Sequence, residues 1–576
     1  MSIGLVEHIN KNRVYYSILA LSLFNLLVMH YTIMDVNYER VIDLLRYFQP
    51  ILPSLFDLLL LLLIASVFSW RHWKASAVAV YIITLLWSVI NIVYSRFFGT
   101  YITLSALGQV QNVCDSFYLQ YVGTAFAWSD TLLVVGIVLF VFSVKRQNNL
   151  EPKFFYSINL KWFLSVAVCL YLFNTASASY RNKSLKLMPY DSVQEINKEA
   201  SSWYNNFVFK NGTFFGQIGY YLLSSFNDRE LTESDIRQIE TYCIEKPHTL
   251  RTMQDSVGSA KNLIFILVES YLSVTSDLVV DSIEITPNLN RLKHLKNTYY
   301  NGRVSSNVAA GESSDGQFIY LTGLLPKRSS ITINDVYNKK LFALPSLLKQ
   351  SGIVSQNRMT IPTAPFVWRQ GEMALKYGID TLMSVNTSYM VDDKVVFDLA
   401  STPVLEAKSF FHMVLTMSMH SPYDTFEGDD LGISFPDNYS PEYCNYLRAC
   451  HFTDVQIGRY IDYLKREGIY DNSLIVIAAD HQAHPYFLNM QSWELNDEKL
   501  PLYLINLDTD PDSLYQGEIN QLDVFPTILD AMGCASLWSG LGCSVYRKDD
   551  FYNSVTDQAY EISDLIIDGD YFKQER

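Results

Sequence analysis

Four places in the chain bring together residue types that can do chemistry. NLIFILVES carries Glu269, FFHMVLTMSMH ends on His420, NSLIVIAADHQ carries Asp480-His481, and GESSDGQF, Gly311 to Phe318, sets two adjacent serines between acids. Carboxylates, an imidazole and a hydroxyl can together hold a divalent cation. A cation so held lowers the pKa of a serine hydroxyl until its alkoxide can attack. Taken singly, each signal is weak. A Glu or His closing a strand is more often a satisfied structural residue, and Gly, Ser and Asp are ordinary turn residues. Three such ends on one sheet edge, with a serine loop following the first, are far harder to assign to coincidence.

The elements that must position them are readable from Lys261 onward. NLIFILVES (Asn262 to Ser270), FFHMVLTMSMH (Phe410 to His420) and NSLIVIAADHQ (Asn472 to Gln482) are continuous apolar runs of the kind buried in a parallel sheet. TPNLNRLKHL and PEYCNYLRACHFTDVQIGRYIDYLKREG have helical periodicity, and Gly468 closes the second as a C-cap. The pattern predicts an α/β sheet flanked by helices, in which ligands gather at the carboxyl ends of the strands.

Ahead of that region the chain is of another kind. Its 576 residues are 49% hydrophobic and can bury more than one core. Val14 to Met34, Ile51 to Trp70, Ala75 to Tyr94, Trp128 to Val144 and Trp162 to Ala178 are nearly charge-free, each close to the roughly 20 residues that a helix needs to cross a bilayer. Five spans are expected. With the N-terminus inside, the cytoplasmic segments hold Lys11, Arg13, Arg71, Lys74, Lys145, Arg146, Lys153 and Lys161, against Arg40, Arg46 and Arg96 outside. Everything after Ala178 is then extracytoplasmic. Ala176-Ser177-Ala178 resembles a signal peptidase site, and the reading preferred for it is a plain helix end rich in small residues. The aromatic stretch Trp203 to Phe226 reads either as a collar at the membrane interface or as a linker packed on the soluble part.

The expected domains are thus a transmembrane domain over 1–178, a juxtamembrane linker with interfacial helices over 179–254, and a catalytic domain over 255–576. A net charge of −15 argues against a nucleic-acid partner. The seven cysteines form no framework; Cys534 and Cys543 are the pair expected to bridge, whereas Cys444 and Cys450, six apart on a helix, would not face each other.

NLIFILVES, TPNLNRL, GESSDGQF, SMHSPY, DNSLIVIAADHQ, KLPLYLIN and QLDVFPTILDAMG, in this order behind the apolar spans, resemble the lipoteichoic acid synthase family of the alkaline phosphatase and sulfatase superfamily. The resemblance implies a sulfatase-like fold over about residues 261 to 535 and one divalent ion, Mn2+ first with Zn2+ or Mg2+ as alternatives. It implies Glu269, Ser313, Asp480 and His481 as the metal site, with Ser313 as nucleophile and His420 beside the substrate phosphate. The family's loop is Gly-Lys-Thr-Ser-Asp, so Ser313 stands where a Thr is usual, and Ser314 is the alternative nucleophile. Where the family has His-Gly-Asn before Trp-Asn-Arg, this chain has Ile361-Pro362-Thr363 before Trp368-Arg369-Gln370. Trp368 matches, and Arg369 is one place from the family's phosphate-gripping Arg.

The function so implied is transfer of a phosphoglycerol-type head group from a phospholipid, phosphatidylglycerol first, to a hydroxyl of a glycan or lipid-linked acceptor. A phosphoethanolamine transferase is the runner-up, although its Pro-Cys after the nucleophile is missing. A sulfatase lacks support because no Cys-x-Pro-x-Arg occurs. An inactive lipid-binding sensor is the reading from a different class.

Overall fold

The computed structural model describes residues 13–37, 50–65, 73–98, 101–102, 127–145, 212–214 and 230–245. It also describes 260–573 apart from short stretches, the longest being 386–390, 403–408, 427–432 and 484–497. The chain divides into two compact units, residues 1–110 with 116–227 and residues 111–115 with 228–576.

The first unit contains helices α1 (Arg13–Asn37), α2 (Ile51–Ala65), α3 (Trp73–Phe98) and α4 (Thr131–Lys145). Among the described residues three stretches are long and apolar enough to cross a membrane: Arg13–Ile33, Ala75–Arg96 and Trp128–Lys145. Pro53–Leu62 of α2 is a shorter apolar helix. Of the five expected spans, Val14 to Met34, Ala75 to Tyr94 and Trp128 to Val144 coincide with full-length candidates, and Ile51 to Trp70 with this shorter helix. The fifth expected span, Trp162 to Ala178, lies outside the described residues, as does the aromatic stretch 203–226 save 212–214.

Polar groups inside this unit join the helices. Asn25 Nδ2 donates to Thr84 Oγ1 at 3.4 Å and Ser88 Oγ donates to the Asn25 carbonyl at 3.0 Å, tying α1 to α3. In a lipid environment such groups must find partners within the protein, which makes them specific glue. Asp57, buried on α2, accepts from Thr213 N and Oγ1, both at 2.6 Å, and from Phe214 N at 2.8 Å. Gly212, at φ +90°, lies against it: a Cβ there would be 2.4 Å from Asp57 Oδ1. Leu132, Val135, Leu139 and Phe142 leave an apolar face of α4 exposed, as a lipid-facing helix requires.

The second unit is built on an eight-stranded sheet. In chain order the strands are β1 (Asn262–Val268), the small pair β2 (Val279–Val280) and β3 (Ile283–Glu284), β4 (Thr298–Ser305), β5 (Gln356–Ile361), β6 (Thr381–Ser384), β7 (Phe410–Leu415), β8 (Ser473–Ala479), β9 (Leu500–Ile505) and β10 (Ile519–Asn520). Their order across the large sheet is β10-β4-β9-β8-β1-β7-β5-β6. Pairing is parallel except around β9, which runs against both β8 and β4. The sheet is mainly parallel, as the unbroken apolar runs require. Every residue of β1, β8 and β9 is buried. Pro501 cannot donate to a ladder, and the register of β4 breaks opposite it, between Asn301 and Val304.

Helices α5 (Pro287–Lys293), α6 (Ser313–Thr322), α7 (Asp393–Ala400) and α8 (Pro441–Arg466) follow strands or their loops. The Ser440 hydroxyl caps α8 by accepting from Tyr443 N, and Gly468 beyond its end adopts φ +69°. Cys534 and Cys543 are not bridged to each other, which corrects the expected pair. Cys534 Sγ lies 3.3 Å from Ser351 Oγ, and Cys543 Sγ points to the Ser544 carbonyl. Cys444 and Cys450 are buried and not bridged to each other.

Candidate metal and nucleophile site

Parallel pairing places the chemistry. β1 and β8 are in register up to Val268 opposite Ala479, so the next residues, Glu269 and Asp480, leave neighbouring strands side by side. Asp480 N still donates to the Val268 carbonyl at 3.0 Å, and Glu269 N donates to Thr416 Oγ1 at 3.0 Å, just past the end of β7. Both carboxylates and His481 are buried.

Ser313 opens α6, following Glu312, whose φ of 44° is rare for a residue with a side chain. The Ser313 hydroxyl donates to Glu269 Oε2 at 3.2 Å and lies 3.1 Å from His481 Nε2. His481 Nε2 is in turn 3.3 Å from Glu269 Oε1 and 3.7 Å from Asp480 Oδ2. His481 Nδ1 lies 2.7 Å from the Gln482 carbonyl, an acceptor only, so Nδ1 carries the proton. That hydrogen bond fixes the ring and points Nε2 into the cluster. Ser314 is turned away, its hydroxyl donating to the Gly311 carbonyl at 2.7 Å.

The electrostatics are those of a site short of positive charge. Burial pushes the Glu269 carboxyl up, but the hydrogen bond and charge of His481 outweigh it and hold Glu269 below the ordinary carboxylate range. Asp480, equally buried and facing Glu269, is driven well up. His481 is raised despite its burial, because both acids favour its charged form. The two carboxylates thus lean on imidazole for their countercharge. Glu269, Asp480 and His481 offer ligand atoms that all lie within 4.8 Å of one another. Four ligands about 2.1 Å from an ion would stand about 3.4 Å apart. His481 Nε2, with the Ser313 hydroxyl at 3.1 Å, Glu269 Oε1 at 3.3 Å and Asp480 Oδ2 at 3.7 Å, has neighbours at separations that suit such a group.

Residues 261–534 match the Sulfatase family, and residues 3–196 match the Lipoteichoic acid synthase N-terminal domain. Over these two stretches the chain is similar to lipoteichoic acid synthases and to the alkaline phosphatase and sulfatase superfamily. It is 27% identical over 548 residues to Lipoteichoic acid synthase 2 of Bacillus subtilis, covering 86% of this chain and 78% of that one. It is 24% identical over 468 residues to Lipoteichoic acid synthase of Staphylococcus aureus, covering 77% and 70%. Among solved structures, the lipoteichoic acid synthase LtaP of Listeria monocytogenes is 20% identical, covers 55% of this chain and 82% of its own, and has a TM-score of 0.45.

Other residues that the family resemblance singles out sit at the same sheet edge with different commitments. His420 follows β7, lies within electrostatic reach of Glu269, and its Nδ1 is 2.7 Å from the Ser421 carbonyl. Trp368 and Arg369 follow β5 with consecutive positive φ values of 50° and 55°. The Arg369 guanidinium pairs with Glu372, donates to Asn334 Oδ1 at 3.2 Å, and lies 4.1 Å over the Tyr337 ring. The four atoms around Ser313 are brought together; Arg369 is held by its own neighbours.

Sequence reasoning missed the groups that hold the cluster from behind. Gln521 Nε2 donates to the Asp480 carbonyl at 2.7 Å while its Oε1 accepts from Asn307 N at 2.7 Å, joining the strand end to the segment leading into the serine loop. Asp315 accepts from Ala309 N and Gly311 N, at 3.0 and 2.9 Å, and so staples that loop. A Gln or Asp in a helix-initiating run carries no mark of such a role; the acid within GESSD was the one available hint.

Proposed function

We propose that the chain is a membrane-anchored phosphotransferase that moves a phosphoglycerol-type head group from a phospholipid to an acceptor hydroxyl through a covalent intermediate on Ser313. The observation that carries this reading is the Ser313 hydroxyl held between Glu269 Oε2 and His481 Nε2 at the carboxyl edge of the sheet. Names of relatives support the head group, since Lipoteichoic acid synthases recur among them. The catalytic unit is placed outside the cytoplasm by the Lys and Arg asymmetry of the apolar segments.

Glu269, Ser313, Asp480 and His481 would hold one divalent ion, Mn2+ in the first instance. When bound, it supplies the positive charge that lowers the hydroxyl pKa and offsets charge on the phosphoryl oxygens. Ser313 gives up its proton to solvent as Oγ forms a bond to phosphorus, and the bond from phosphorus to the diacylglycerol oxygen breaks. His420 gives that oxygen its proton. An acceptor hydroxyl, passing its proton to His420, then displaces Ser313 from phosphorus, and the serine oxygen regains a proton from solvent. Trp368 and Arg369 border the head group.

Phosphoethanolamine transfer is a second reading, and Glu312 favours it. Its carboxylate, adjacent to the nucleophile, acts on His481 and suits a head group that bears an ammonium.

Mass spectrometry of the detergent-solubilised full chain, incubated with mixed phospholipids and no acceptor, tests both. A phosphoglycerol adduct on Ser313 is expected, absent in Ser313→Ala together with diacylglycerol release, whereas Ser314→Ala retains much of that release. An ethanolamine phosphate adduct would select the second reading. Lipid turnover with no adduct on either serine would overturn the nucleophile.

A further inference from the structure

Ser270, directly after β1, has a conformation that its residue type disfavours. It is buried and adopts φ 51°, in the left-handed region where a side chain costs about 1 kcal/mol. Glycine would sit there without that cost, so the side chain needs a reason.

The contacts supply one. Ser270 Oγ donates to Glu269 Oε1 at 2.9 Å, and Ser270 N donates to Asp480 Oδ1 at 2.8 Å. The left-handed turn lets one residue reach back to both acids, the hydroxyl to one and the backbone to the other. Its carbonyl accepts from Tyr446 Oη at 3.0 Å, and the same Tyr446 oxygen accepts from Leu272 N at 3.1 Å, so the turn is pinned to α8 from outside.

We propose that Ser270 is a positioning residue that fixes which oxygen of each carboxylate faces the nucleophile. Glu269 Oε1, 3.3 Å from His481 Nε2, is held by the Ser270 hydroxyl, which leaves Oε2 toward the Ser313 hydroxyl at 3.2 Å. Asp480 Oδ1 is engaged by Ser270 N and by His481 N at 2.7 Å, which leaves Oδ2 toward His481 Nε2. A carboxylate held by one oxygen cannot rotate the other out of place, so the donor set is preorganised before a cation arrives. The inference rests on the metal site proposed above and adds a residue that touches neither substrate nor ion.

The test is Mn2+ titration of the full chain in detergent by calorimetry, with thermal unfolding measured in metal-free buffer alongside. Ser270→Ala keeps the strained backbone and loses the hydroxyl; Ser270→Gly loses the hydroxyl and relieves the strain. Both are expected to bind Mn2+ about 10- to 100-fold more weakly, the usual cost of losing an outer hydrogen bond to a ligand. Ser270→Gly is expected to unfold no earlier than wild type, so a lost affinity there cannot be lost folding. If wild type binds Mn2+ and folded Ser270→Gly binds it equally well, the positioning role is overturned. If wild type itself binds no divalent ion, the underlying metal site is what fails.

Discussion

Gly316 and the carbonyl of Asp480 are in such close approach that no side chain fits between them: a Cβ at position 316 would stand 2.2 Å from the Asp480 oxygen. The helix that Ser313 opens, α6, therefore rests directly on the backbone of the strand end that carries Asp480 and His481. Gly316→Ala must push α6 and Asp480 apart. Displacements of about 1 Å cost about 100-fold in rate at a preorganised site. That loss of phospholipid turnover is expected with circular dichroism unchanged, and an Ala variant with wild-type turnover would show that the two elements move freely.

Asp393 ties the exit of β7 to α8. Oδ1 accepts from Met417 N at 2.6 Å and Ser418 N at 3.0 Å, and Oδ2 accepts from Thr453 Oγ1 at 2.6 Å. Burial raises its pKa from 3.8 to about 6 against these hydrogen bonds. A raised acid binds its proton more tightly in the folded protein, so its contribution is complete below the unfolded value near 3.8 and is lost as pH rises through about 6. Wild type is expected to lose up to about 3 kcal/mol relative to Asp393→Asn between about pH 4 and pH 7. Thermal unfolding of the two proteins across that range measures it; parallel curves would contradict it.

Cys534 and Cys543 are not bridged to each other, so reductant is expected to leave the unfolding temperature of the purified protein unchanged. A bridge would contribute about 2 kcal/mol or more, and its reduction would lower that temperature by several degrees. Mass mapping after alkylation without reduction should find both cysteines labelled once the chain is unfolded.

In the first unit, Asp57→Leu removes the acceptor for two N–H groups and a hydroxyl. Buried charge-assisted hydrogen bonds are worth about 1.5 to 3 kcal/mol each, so the segment around Thr213 is expected to come loose. Limited proteolysis near residue 213 should accelerate in this variant, and Gly212→Ala should do the same through its clash with Asp57. Unchanged cleavage in both would show that the contact does not hold the segment.

Much of this arrangement was legible in the sequence because a parallel sheet is unusually explicit. β1, β7 and β8 appear as unbroken apolar runs since both faces are covered, and side chains just past their ends converge by topology alone. Hence Glu269, His420 and Asp480-His481 could be grouped at one sheet edge without coordinates, whereas Ser313 was singled out only through the resemblance of GESSD to the family's Gly-Lys-Thr-Ser-Asp loop. Gln521 was not legible, since its contact with Asp480 spans 41 residues and depends on a side chain reaching backbone. Cys534 and Cys543 misled because closeness in sequence says nothing of direction: the chain between them turns each sulfur toward a different serine. Arg369 looked like a phosphate grip by residue type, whereas its pairing with Glu372 and Tyr337 is set by neighbours that no motif predicts.

The contact between Asp57 and Thr213 spans 156 residues, and that separation has a consequence in time. At about 5 to 20 residues per second, a ribosome needs about 8 to 30 s to travel from one to the other. For that interval α2 has been made and the donors that will hold its carboxylate have not. Until then the Asp57 carboxylate lacks the Thr213 and Phe214 donors that it accepts from in the folded unit. The helices of this unit therefore cannot reach their final packing in the order in which they are synthesised; α2 is completed late, by a segment that arrives after every expected span has been translated.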